Sequence, residues 1–117
     1  MAESRILLVD DDPDVLQLTA ELLTLGGYIP IIAAGPEAAL ERLTAGERFT
    51  AMVTDQSMPG MSGEDLVQRA RALQPGLPCL LITGYGASVE LSIEVKVLRK
   101  PFRASVLNAA LAELIGE

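Results

Sequence analysis

Six side chains in this 117-residue sequence could do chemistry together. The apolar run ILLV (6–9) gives way without a break to Asp10, Asp11 and Asp12. FTAMVT (49–54) ends at Asp55, PCLLIT (78–83) closes on Thr83, and EVKVL (94–98) is followed closely by Lys100, one of two lysines in the chain. Adjacent carboxylates repel one another, so an acidic cluster stabilises nothing by itself. Gathered in one crevice, such acids make an oxygen-ligand site for a hard divalent cation, and Mg²⁺, which combines a few protein ligands with waters, fits best. A carboxylate beside a bound cation can act as a nucleophile toward phosphorus and give an acyl phosphate. In-line phosphoryl transfer then asks for a metal, a cation and a hydroxyl around the transferring oxygens. Lys100 offers the compact ammonium and Thr83 the hydroxyl.

These residues can meet only if the chain brings them to one place, and its hydrophobic pattern predicts that it does. RILLV (5–9) reads as a buried strand. DVLQLTAELLTLG (14–26) has an apolar helical face and stops at Gly26-Gly27; Asp12 or Pro13 begins it. YIPII (28–32) is a weaker strand whose Pro30 suggests an edge position or a late start. PEAALERLTAG (36–46) is a helix with Pro in its first turn and a Gly stop. After the strand at 49–54, SGEDLVQRARALQ (62–74) starts at a Ser N-cap, with acids in its first turn and arginines later. Strands at 78–83 and 94–98 and an amphipathic helix at 102–116 complete the chain. Strand–helix alternation of this kind implies a parallel sheet with helices on both faces. Right-handed crossovers then put the carboxyl ends of all the strands on one edge, where open α/β sheets hold their ligands. The acids, Thr83 and Lys100 all stand at those ends.

Composition narrows the function classes. A formal net charge of −7, from 9 basic and 16 acidic residues, argues against nucleic acid or an anionic membrane surface as the direct partner. Trp is absent and aromatics are few, so stacking platforms for bases are missing. The sequence has no His, which removes Ser/His/Asp triads and His-ligated zinc together. Cys79, the lone cysteine, lies in an apolar run and reads as a small core residue. The apolar runs are strand-length, too short for a membrane span, so a single domain over 1–117 in a cytoplasmic, reducing context is expected.

Four stretches carry a family resemblance: VDDD (9–12), TDQSMPGMSG (54–63), LLITGYG (80–86) and RKPF (99–102). Together they resemble the signatures of response-regulator receiver domains, the CheY-like superfamily, in order and along the whole chain. The resemblance implies a doubly wound, flavodoxin-like five-stranded parallel sheet flanked by five helices. It also implies phosphorylation on an aspartate by a histidine kinase or histidine phosphotransfer protein. Asp55 matches the phosphoacceptor, and Asp10 and Asp11 match the acidic pair that binds Mg²⁺ together with Asp55 and the Ser57 backbone carbonyl. Thr83 matches the switch hydroxyl, Lys100 the lysine that pairs with the phosphoryl group, and Pro101 a position that usually follows a cis peptide. Such a domain is a signalling module that catalyses its own phosphorylation and dephosphorylation, rather than an enzyme in the ordinary sense.

Two departures stand out. Val97 occupies a position where the family often has Tyr or Phe, and only 16 residues separate Thr83 from Lys100, with poor helical patterning between them. A short or irregular fourth helix is expected, with output carried by the loop after Thr83 (Gly84, Tyr85, Gly86 and the residues to 93). The LPCLLITGYG run and this shortened segment are similar to receivers of hybrid sensor kinases; the output partner is not legible. The spacing Asp10-x-Asp12 also mimics the nucleophile motif of haloacid-dehalogenase-type phosphatases, but the segment after Lys100 offers only Glu113 and Glu117 where that class needs a further acidic motif. A receiver-like interaction module that is never phosphorylated would normally lack the acceptor Asp or the lysine, and both are present.

Overall fold

The computed structural model describes residues 3–84 and 91–116. Its elements run β1 (Arg5–Val9), α1 (Pro13–Leu25), β2 (Ile29–Ala33), α2 (Pro36–Thr44), β3 (Ala51–Asp55), α3 (Gly63–Leu73), β4 (Cys79–Thr83), β5 (Lys96–Arg99) and α4 (Ala104–Ile115). The strands form one sheet in the order β2-β1-β3-β4-β5, and every pairing is parallel. The order reverses at β1, so the chain winds outward in both directions and the carboxyl ends of β1 and β3 flank a crevice.

Alternation along the strands builds two cores. Leu7, Val9, Met52 and Cys79 point to one face, under Ala39 and Leu43 of α2 and Leu66, Val67 and Ala70 of α3. Ile6, Leu8, Val53, Leu80 and Ile82 point to the other, under Leu16 and Leu23 of α1 and Leu107 and Leu111 of α4. This period of two, with both faces covered, is why the strands read as near-continuous aliphatic runs. β2 is an edge strand, and Pro30 sits in it where a missing N–H costs no central ladder bond. The turn after α1 passes through Gly27 at φ 88°, a left-handed conformation that favours glycine.

Boundaries differ from the pattern-based ones by a residue or two. α1 begins at Pro13, immediately after Asp12, and β5 starts at Lys96 rather than at residue 94. Four helices lie among the described residues. Of the segment where a short fourth helix was expected, 85–90 lie outside the described residues, and 91–95 are not helical. That stretch is instead fastened to α3: Ser92 N–H donates to Glu64 Oε2 at 2.7 Å, its hydroxyl donates to the same oxygen, and Arg71 Nη1 donates to the Glu94 carbonyl at 2.9 Å. Ile93 and Val95 pack on the α2–α3 side of the core.

Candidate functional site

Four strand ends deliver the predicted side chains to one edge. Asp10 follows β1, Asp55 ends β3, Thr83 ends β4, and Lys100 comes directly after β5. Asp10, Asp11 and Asp55 each offer a carboxylate oxygen within 4.8 Å of the others. Lys100 Nζ stands 3.1 Å from Asp55 Oδ1, while the Ser57 N–H donates to Asp55 Oδ2 at 3.1 Å. Both oxygens of Asp55 are therefore held, one by an ammonium and one by the loop that follows the strand. The Lys100–Pro101 peptide is cis.

Asp10 and Asp55 are 6% and 9% exposed, whereas Asp11 is open to solvent. Burial raises the Asp10 carboxyl above its ordinary value. The Asp12 N–H, which donates to Asp10 Oδ1 at 3.0 Å, pulls the other way; the Asp55 charge adds to the rise and Lys100 opposes it. A carboxylate kept in that position gains from a cation nearby. The donor set fits Mg²⁺: hard oxygen ligands only, close enough to share one ion, and partly open so that waters can complete the shell.

Asp12 has another task. Its side chain accepts the N–H groups of Asp14 and Val15 at 2.9 and 3.4 Å and so caps α1. The motif D-P-D at a helix start carries that signal in the sequence, and the Asp10-x-Asp12 pairing loses its second member to the cap. Thr83 is 2% exposed, and its Oγ1 has no hydrogen-bond partner among the described residues. A buried hydroxyl left unpaired costs stability, of order 1–3 kcal/mol. Such a group is well suited to a ligand oxygen that arrives at this edge. Lys96 opens β5, remote from the carboxyl edge, and pairs with Glu113 at 3.3 Å. Tyr85 and Gly86, expected in the loop that carries the output, lie outside the described residues.

One residue that the sequence reading passed over is Gln56, next to Asp55. Its N–H donates to the Ile82 carbonyl, its carbonyl accepts from Gly63 N–H, and its side-chain Oε1 accepts from Glu64 N–H, each at 2.9 Å. The signal available in the sequence is slight: a polar residue after a strand-terminal acid, on a loop that returns to a Ser N-cap.

The fold and this edge define the receiver class of doubly wound α/β domains. Residues 6–112 match the response regulator receiver domain family, and the chain belongs to it. It is 38% identical to the response regulator FleR of Pseudomonas aeruginosa over 97% of its own length, though it spans 26% of FleR's. It is 36% identical to the receiver protein CpdR of Brucella abortus, covering 84% of this chain and 85% of CpdR. Among solved structures, a CheY-like receiver domain protein from Methanospirillum hungatei superposes with a TM-score of 0.86 at 30% identity, covering 98% of this chain and 95% of that one. The receiver domain of the hybrid histidine kinase CckA superposes at 0.80 with 29% identity, covering 95% and 98%. The chain is thus a receiver domain of two-component signalling, a class that accepts phosphate from histidine kinases and binds Mg²⁺ through an acidic pocket. No helix among the described residues is long and apolar enough to cross a membrane.

Proposed function

We propose that Asp55 accepts a phosphoryl group from the phosphohistidine of a histidine kinase or phosphotransfer protein, in an Mg²⁺-dependent reaction that the domain itself catalyses. The observation that carries this reading is the joint approach of Lys100, Asp10 and Asp11 to the Asp55 carboxylate. Asp10, Asp11, Asp55 and the Ser57 carbonyl would hold Mg²⁺, which when bound offsets negative charge on the phosphoryl oxygens. An Asp55 oxygen forms a bond to phosphorus as the donor's P–N bond breaks, and the departing imidazole keeps the electron pair and takes a proton from solvent. Lys100 pairs with one phosphoryl oxygen in place of Asp55 Oδ1. Thr83 donates its unpaired buried hydroxyl to another, and this move is what alters the β4–β5 connection. Hydrolysis of the acyl phosphate by water resets the domain. A cytoplasmic setting, where such donors and Mg²⁺ meet, suits this chemistry.

The test is incubation with acetyl phosphate. Intact mass should rise by one phosphoryl group in the presence of Mg²⁺ and not with excess chelator, and Asp55→Asn should stay unlabelled. Labelling that needs no divalent cation would sink the assignment.

A further inference from the structure

The first turn of α3 has three N–H groups to satisfy before its own ladder begins, and two of them go to one residue. Gly63 N–H donates to the Gln56 carbonyl and Glu64 N–H to Gln56 Oε1, both at 2.9 Å. Asp65 N–H goes to Ser62 Oγ at 3.2 Å. Gln56 therefore closes the base of the loop 57–62 from the strand side, while Ser62 caps from the helix side. The fit is tight: a Cβ at Gly63 would fall 2.3 Å from the Asp55 carbonyl oxygen and 2.5 Å from Leu81 Cδ1. The helix start thus rests directly on the backbone of the acceptor residue. Ser57, the first residue of this loop, reaches Asp55 Oδ2 through its N–H.

We infer that the Gln56 side chain is a positioning residue for the metal site: by holding Glu64 N–H it fixes the loop that presents the Ser57 carbonyl and steadies the Asp55 carboxylate. This rests on the assignment of Asp10, Asp11, Asp55 and Ser57 as Mg²⁺ ligands. Groups that orient a ligand without touching the ion cost about ten- to a hundredfold in metal affinity when removed. Ser62 performs the same service for the helix with no bond to the acceptor's neighbour, which makes it the right control.

The experiment compares wild type, Gln56→Met and Ser62→Ala by NMR titration with Mg²⁺ alone, by thermal melting in chelator, and by the rate of acetyl phosphate labelling against Mg²⁺ concentration. Gln56→Met keeps the length of the side chain and loses the acceptor. We expect its Mg²⁺ affinity to fall about tenfold, with the Ser57 amide resonance shifted, and the labelling rate to recover at saturating Mg²⁺. Ser62→Ala should lower the melting temperature by at least as much and leave Mg²⁺ affinity at the wild-type value. Equal Mg²⁺ affinity in Gln56→Met and wild type would overturn the inference, as would an equal loss in Ser62→Ala, which would mean that any weakening of α3 acts alike. Wild type that fails to bind Mg²⁺ would overturn the ligand assignment, and this inference with it.

Discussion

Lys100 Nζ lies 3.1 Å from Asp55 Oδ1, so an ammonium already occupies one oxygen of the carboxylate that the chemistry needs. Under the proposed function, Lys100 competes with a divalent cation for Asp55 and later serves the phosphoryl group. Lys100→Ala should separate these roles. Its Mg²⁺ affinity should hold or rise by up to about fivefold, the worth of an ion pair whose lysine is partly exposed, while the rate of labelling falls of order a hundredfold. Titration followed by single-turnover labelling reads both. Lys96→Ala should be nearly silent, because Lys96 pairs with a Glu113 that is largely exposed.

Asp10 is buried, and burial holds its carboxyl above its ordinary value. At neutral pH the ionised form weighs against the metal-free fold. Asp10→Asn keeps an oxygen for the Asp12 N–H and removes the charge, so its melting temperature in chelator should be a few degrees higher than wild type, for a gain of about 1 kcal/mol. Adding Mg²⁺ should stabilise wild type by mass action and the variant much less. A wild-type melting curve indifferent to Mg²⁺ would count against the site.

The aliphatic runs and their spacing were enough to read the sheet, because a strand covered on both faces leaves little but Val, Ile, Leu and Met to see. The site was legible for the same reason: in a parallel sheet the residue that ends each run is forced to one edge, so Asp10, Asp55, Thr83 and Lys100 meet whatever lies between them. The role of Asp12 is not legible in the sequence, since an acid after a strand serves a metal or a helix cap equally well; its bonds to Asp14 and Val15 assign it to the cap. Gln56 was hidden because a hydrogen bond from residue 64 back to residue 56 leaves no period in the sequence. The non-helical stretch 91–95 depends on tertiary bonds to Glu64 and Arg71, which local propensity does not encode.

Val97 pairs with Leu81 in the sheet and is only half-buried. A valine has one restricted torsion and little area to bury, so its rotation can bias a two-state equilibrium only weakly. The response to phosphorylation should instead appear where the β4–β5 connection is tied to α3. With beryllofluoride and Mg²⁺ as a phosphoryl mimic, amide shifts and exchange rates should change at Thr83, Gly84, Ser92 and Ile93 and little at Val97. Changes centred on Val97, with Ser92 and Ile93 quiet, would contradict this.

Cys79 is 1% exposed, and burial pushes its thiol up from 9.0 to about 11. The folded chain should resist alkylation at mildly alkaline pH while the urea-unfolded chain labels fully. The folded state binds this proton more tightly, so the associated stability is complete below 9.0 and is lost as pH rises toward about 11. The full loss is roughly 2–3 kcal/mol. Melting temperatures should therefore fall more steeply above pH 9 in wild type than in Cys79→Ala.

Chemical mapping of the phosphorylated residue decides whether Asp55 is the phosphoacceptor. An acyl phosphate on aspartate is reduced by borohydride to homoserine, which marks the position permanently for peptide mass spectrometry. After treatment with acetyl phosphate and Mg²⁺, homoserine should appear at position 55 and nowhere else. Homoserine at position 10 or 11, or a phosphorylated chain with none at 55, would rule out Asp55 as the acceptor.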